Sequence, residues 1–459
     1  MKWKYLLGFV ILALTCMLGV QATAESNGQY IVYLKQRASF SSKSSEDLGR
    51  RYTVMGEKEL EKYLSSGMVE FYEPDYEIRL FEDFNSGAVS QWSLEAINVS
   101  KAWDIGCYGN NVTVAVIDSG AYQHHDLANN LLEGHNYLDN NSDTSDNIGH
   151  GTYVSGIIAA EANGEYIDGV ANRAKIVPLK CFAKGKSTNI SMLTDAVYDA
   201  VDVYHADVIN MSFGMEESLT ARTFQLAIEH AIKKGCIVVA AAGNDGNSTI
   251  YYPANYDGVI GVGSISSSLT ISSFSQHNTT VDVVAPGSSI QSVSIPGYPN
   301  NSGTSFACPH VAAMAAIAKC INKEITASEF QTLLAETSKD LGTTGYDKYY
   351  GYGLINIEAM IDKMLENTPV FMSPIDVQNE GVEITVYNNS DDLLKAVGIA
   401  SEYENSILRN MKTSLINLKS KGTTKLNCNR ENYVKFMLWE SFAGLRPLSP
   451  AMEYKTEKQ

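Results

Sequence analysis

Six apolar runs limit what this chain is able to become. VTVAVID (112–118), KIVPLKCF (175–182), DVINMSFG (207–214), CIVVAAAGN (236–244), VIGVGSI (259–265) and VDVVAPG (281–287) are apolar along nearly their whole length. A strand with one face in water alternates apolar and polar side chains, whereas a strand buried on both faces does not. Between these runs lie YVSGIIAAEA, MLTDAVYDAVDVYHA and TARTFQLAIEHAIKKG, which carry the apolar spacing of helices, the last closed by Gly235. Strand and helix in alternation predict an α/β fold, an open parallel sheet flanked by helices. Functional residues of such sheets gather beyond the carboxyl ends of the strands. Asp118 and Asn244 each close one of the runs, where that rule wants them.

At 459 residues the chain is long for one domain. Lys2 and Lys4 precede an apolar run from Tyr5 to Val20, and Ala22-Thr23-Ala24 follows. That pattern predicts a secretory signal peptide over 1–24; the run is short for a membrane span. Residues 25–85 read as a small α+β unit. QYIVYLK (29–35) alternates as a strand does, GEKELEKYLSS (56–66) has helical composition, and MVEFYEPDYEIRLF (68–81) reads as two strands broken at Glu73-Pro74. The α/β body occupies 86–365. In the remainder, 366–459, short strand-like segments such as DVQNEGVEITVYNNS and NYVKFMLWE alternate with Gly/Asn-rich turns, which predicts a β-sandwich-like domain.

The net charge of −17 argues against nucleic acid as a partner and suits a soluble secreted protein with no stable membrane span once the signal is removed. Beyond the signal stand six cysteines, at 107, 181, 236, 308, 320 and 428, with no CxxC or regular spacing. Their pairing is not legible, and Cys181, Cys236 and Cys308 sit among apolar or small residues as packed thiols do.

Three segments present one reactive side chain each among glycines and apolar residues: Asp118 in AVIDSG, His150 in NIGHGTYVSG and Ser305 in SGTSFACPHVAA. A serine hydroxyl needs a base to take its proton, and the base needs a carboxylate to hold its tautomer. Ser305 precedes a long apolar stretch, FACPHVAAMAAIAKCI, so it is expected at a helix N-terminus, with Pro309 in the first turn. His310, on the same stretch, is expected to be a packed core residue. His124 and His125 are adjacent and would face opposite ways on a strand, so no metal is expected there.

With their flanks and their order along the chain, these segments resemble the subtilisin-like serine proteases, the subtilases. The resemblance covers about 25–365. It implies a serine endopeptidase with Asp118, His150 and Ser305 as triad and Asn244, in AAAGND (240–245), donating to the oxyanion. It further implies that a protein or peptide substrate adds as a strand along Ser212, Phe213 and Gly214, against a first-subsite wall at Ala242 and Gly243. Asp245 would stand at the pocket rim and favour basic side chains. The 25–85 unit resembles the family's propeptide, an intramolecular chaperone and inhibitor, with self-cleavage expected between Leu80 and Ser90, near Asn85-Ser86-Gly87. Gln91, Asp126 and Asn163 match a structural Ca²⁺ site, although Glu161, Glu165 and Tyr166 depart from the usual small apolar loop. Two other readings remain: a catalytically idle binding protein of this fold, and an esterase using the same triad.

Overall fold

Between Gln29 and Pro74 the chain closes on itself as a small layered unit. β1 (Gln29–Leu34) pairs antiparallel with β2 (Tyr52–Gly56) on one side and β3 (Val69–Pro74) on the other. α1 (Glu57–Ser66) lies over the sheet, and Val32, Leu34, Met55 and Leu60 make its core. β2 is an addition to the sequence expectation. The strand break falls at Asp75-Tyr76 and not at Glu73-Pro74, because Pro74 pairs with Tyr30 on an edge strand, where a missing N–H is tolerated. β4 (Glu77–Leu80) then leaves this unit altogether.

A computed structural model describes residues 28–35, 51–80, 91–164, 166–216, 221–294, 300–378, 381–404, 407–428, 433–441 and 446–455. The expected signal peptide and the expected self-cleavage segment at 85–87 lie outside the described residues. The body of the protein is built from β5 (Thr113–Asp118), β6 (His135–Asn136), α2 (His150–Ala159), β7 (Lys175–Lys180), β8 (Thr188–Asn189), α3 (Ile190–Asp202), β9 (Val208–Met211), β10 (Phe213–Glu216), α4 (Arg222–Lys233), β11 (Ile237–Ala241), β12 (Tyr251–Tyr252), β13 (Val259–Ile265), β14 (Val283–Pro286) and α5 (Thr304–Ile321).

Seven of the strands form one parallel sheet in the order β14-β13-β11-β9-β5-β7-β6. The expected run 207–214 is two strands, β9 and β10, parted at Ser212. Successive residues of β5 show why its sequence does not alternate. Val114 and Val116 face a core shared with α2 and α5, while Ala115 and Ile117 face a second core under α3 and α4. Both faces are dry, so all four positions from Val114 to Ile117 are apolar. Cutting Ile117 back to Ala would cost about 2–5 kcal/mol. α5 is 18 residues long and apolar enough to cross a membrane, yet 94% of it is buried inside the protein, where it serves as the central core helix.

Beyond α5 two antiparallel four-stranded sheets close over Ile384, Val386, Ala400, Val434 and Phe436, the β-sandwich expected for the C-terminal part. It is tied to the body: Lys101 Nζ donates to the Tyr387 hydroxyl at 2.9 Å, Arg173 pairs with Asp376, and Phe371 and Tyr387 join the main core.

Candidate active site

Asp118 is the last residue of β5 and His150 the first of α2. His150 Nδ1 lies 2.8 Å from Asp118 Oδ1 and 2.9 Å from Oδ2, with both residues fully buried. The Ser119 N–H also donates to Asp118 Oδ1, at 2.7 Å, which fixes the carboxylate from behind. The close approach depends on Gly151, where a Cβ would stand 2.2 Å from the Gly120 carbonyl oxygen. Asp146 anchors the start of α2, accepting the N–H groups of Gly149 at 2.8 Å and Thr152 at 2.9 Å. Sequence reasoning passed over Asp146. Its signal was a carboxylate just ahead of a glycine-flanked helix start.

Ser305 is the second residue of α5, on the turn after Gly303, as a nucleophile favoured by the positive helix end would be. Its hydroxyl donates to the Ser212 carbonyl at 3.0 Å, and the Ser212 hydroxyl donates back to the Ser305 carbonyl at 2.9 Å. Pro309 is the sixth residue of α5, past the first turn where it was expected. Its missing N–H would otherwise have bonded the Ser305 carbonyl, and the Ser212 hydroxyl fills that place. Asn210 Nδ2 in turn donates to Ser212 Oγ at 3.0 Å, and the Cys308 thiol to Asn210 Oδ1 at 3.2 Å. Cys308 is thus a buried donor in the support of Ser305, and burial pushes its thiol pKa up, away from thiolate chemistry.

Asn244 lies in the turn after β11, which ends at Ala241 and so stops three residues earlier than the apolar run suggested. Its Oδ1 accepts from the Thr304 N–H and from Thr304 Oγ1, each at 2.8 Å. The amide orientation is therefore fixed, and Asn244 Nδ2 is buried with no hydrogen-bond partner among the described residues. A buried orphan donor costs free energy. Here it stands beside Gly303, where a Cβ would come within 3.2 Å of it.

His310 is a packed histidine as expected, its Nδ1 2.8 Å from the Phe306 carbonyl, and burial lowers its pKa to about 4. Ser212, Phe213 and Gly214 border the site, and the last two already carry an added strand. β4 pairs antiparallel with β10 through Leu80–Phe213 and Arg79–Gly214, and on its other side with β8 through Ile78–Thr188.

The residues matched to calcium come together only in part. Asn163 Nδ2 donates to the fully buried Asp126 Oδ1 at 2.7 Å, whereas Gln91 spends both ends of its amide on the Asp168 backbone, at 2.8 and 3.0 Å. Burial first, then the charge of Asp126, raises the Asp168 pKa. Glu161 turns aside to accept from the Asn129 N–H and Nδ2, each at 2.8 Å. His124 and His125 sit in a turn and not on a strand, so their rings do face each other, with centroids 4.2 Å apart; that corrects the sequence expectation.

A buried carboxylate–imidazole pair, a serine on a helix start and an orphan amide donor, all at the carboxyl edge of a parallel sheet, define a serine-hydrolase type of site. Comparison with known proteins narrows the class. Residues 109–353 match the model of the subtilase family. The minor extracellular protease Epr of Bacillus subtilis (strain 168) is 37% identical over 271 residues, 59% of this chain but only 41% of that protein's length. Subtilisin DY of Bacillus licheniformis is 37% identical over 278 residues, 58% of this chain and 97% of that protein. A solved protease from Pseudoalteromonas arctica PAMC 21717 superposes with a TM-score of 0.55 at 31% identity, covering 60% of this chain and 96% of that one. The chain belongs to the subtilase family, a family of serine-type endopeptidases.

Proposed function

We propose that the protein is a secreted endopeptidase that hydrolyses protein or peptide substrates through an acyl-enzyme on Ser305. The Asp118–His150 pair, at 2.8 Å in full burial, is the observation that carries this reading. Ser305 Oγ attacks the scissile carbonyl while its proton passes to His150 Nε2, and Asp118 holds the ring and stabilises the imidazolium. Asn244 Nδ2 and the Ser305 N–H receive the oxyanion. As the C–N bond breaks, His150 returns the proton to the leaving amine; a water molecule then repeats the sequence on the acyl-enzyme. The substrate lies along Ser212, Phe213 and Gly214, in the manner of β4.

The 25–85 unit acts as propeptide, chaperone and inhibitor, released by self-cleavage. The strand it lends to β10 supports that reading, since the same edge cannot pair with a substrate at the same time. Asp126 and Asn163 would hold a structural Ca²⁺, which stabilises the fold and takes no part in the chemistry, whereas Gln91, its amide taken up by the Asp168 backbone, stays outside that set. A full-length Ser305→Ala chain should accumulate unprocessed, whereas mature-length product from that variant, in a host without helper proteases, contradicts self-processing.

A further inference from the structure

The site has two walls, Ser212–Gly214 and Ala242–Gly243, and one residue bridges them. β12 is hydrogen-bonded to β10, with Tyr251 opposite Glu216 and Tyr252 opposite Met215, so the first wall runs directly into the strand that carries Tyr251. At the second wall, Gly243 adopts φ +115°, and a Cβ placed there would meet Tyr251 Cδ2 at 2.9 Å and Cε2 at 3.3 Å. The Tyr251 ring therefore lies against Gly243. Its hydroxyl donates to Asp245 Oδ2 at 2.5 Å, and the residue as a whole is only 8% exposed. The ring is anchored at both ends, by its strand and by Asp245.

We infer that Tyr251, held by Asp245, closes the first-subsite pocket, so that the enzyme selects a small side chain (Gly, Ala or Ser) at the residue whose carbonyl Ser305 attacks. This rests on the endopeptidase reading of the site and adds its specificity. It also replaces the expectation that Asp245 draws basic side chains. The Asp245 carboxylate is engaged by the Tyr251 hydroxyl. Burial and then Asp245 push the Tyr251 pKa up, so its hydroxyl stays protonated and keeps donating. A large side chain would have to displace a packed aromatic ring and break that hydrogen bond, whereas a methyl group would not. Discrimination by a pocket wall is worth about 10–200-fold for a single methylene, and a phenyl group asks for much more room.

The test is a peptide series varied only at this residue, with active enzyme first counted by fluorophosphonate labelling. Wild type should cleave after Ala at least about 10-fold better, in kcat/KM, than after Phe, and should gain nothing from Lys or Arg. Tyr251→Ala should reverse the Ala:Phe preference. Labelled wild-type enzyme that prefers Phe, Lys or Arg overturns the closed pocket, as does a folded, labelled Tyr251→Ala with an unchanged ratio. Failure to label at all overturns the reading beneath it instead. The first self-cleavage site reads the same pocket without any variant. In the sequence of 81–90, a cut after Ser86, Gly87 or Ala88 agrees, and a cut after Phe81 or Phe84 contradicts it.

Discussion

Asp75 accepts two hydrogen bonds from Ser191, from its backbone N–H at 3.0 Å and from its hydroxyl at 2.6 Å. Ser191 is the second residue of α3, and a parallel contact holds α4, where Glu73 accepts the N–H groups of Arg222 at 2.8 Å and Thr223 at 2.9 Å. Neither helix has a side-chain cap from its own N-cap residue. Two carboxylates of the N-terminal unit therefore satisfy the orphan donors of two helices in the body, where negative charge is favoured.

Asp75→Ala should therefore loosen the N-terminal unit by roughly 1–3 kcal/mol, the usual cost of leaving a buried hydrogen-bonding group without its partner. In the uncleaved Ser305→Ala background, the Ser191 amide should exchange faster with deuterium. The pH dependence has a defined sign. Burial, the largest influence, raises the Asp75 pKa above 3.8, and the Ser191 bonds only partly oppose it. A carboxyl whose pKa rises on docking takes up a proton, so docking through Asp75 strengthens as pH falls through the raised value. Acid should not release the unit by this route, and Asp75→Asn should cost less than Asp75→Ala.

Asn244, the proposed oxyanion donor, is oriented by Thr304. Asn244→Leu should lower kcat by roughly 10²–10³, the magnitude measured for the equivalent donor in subtilisin itself, with KM nearly unchanged. Thr304→Val removes one of the two bonds to Asn244 Oδ1 and leaves the other. Its kcat should fall by about 10-fold, again with little change in KM.

Calcium is tested through stability. If Asp126 and Asn163 hold Ca²⁺ in the folded state alone, about 100-fold excess over Kd adds roughly 2.7 kcal/mol. Chelation should lower the thermal midpoint and speed autolysis without touching the initial rate at low temperature. Asp126→Ala should abolish the chelator effect, and a wild-type midpoint indifferent to chelator would mean that no such ion is bound.

Acid should destabilise the fold partly through His310. Its pKa is depressed from 6.5 to about 4 by burial, so below pH 6.5 the unfolded chain takes a proton that the folded chain refuses. That stability is complete above pH 6.5 and is lost as pH falls towards 4, by about 3 kcal/mol in all. In the Ser305→Ala background, His310→Gln should flatten the slope of melting temperature against pH in that window, at the cost of a lower midpoint at neutral pH.

The sheet was legible because burial on both faces writes itself into six runs, and the three reactive residues because each sits in a glycine-rich shell that close approach demands. What the runs hid was where pairing stops. Ser212 splits one run into β9 and β10, and β11 ends before Asn244, because backbone geometry and not hydrophobicity sets those boundaries. Two-residue strands such as β8 and β12 carry no periodic signal at all, yet they pair Thr188 with Ile78 of β4 and Tyr251 with Glu216 of β10. Supporting polar groups, Asp146 in a loop, Asn210 in β9 and Thr304 at the start of α5, look ordinary in sequence and gain meaning only from their partners across the fold.

The most direct measurement is the rate and position of fluorophosphonate labelling. If Asp118 and His150 activate Ser305, the probe should form one covalent adduct, located by mass spectrometry on Ser305. His150→Ala should slow its formation by at least about 10³-fold, since the residual rate would come from the oxyanion site and binding alone. An adduct elsewhere in the chain, or labelling of Ser305 at an undiminished rate without His150, would contradict the account.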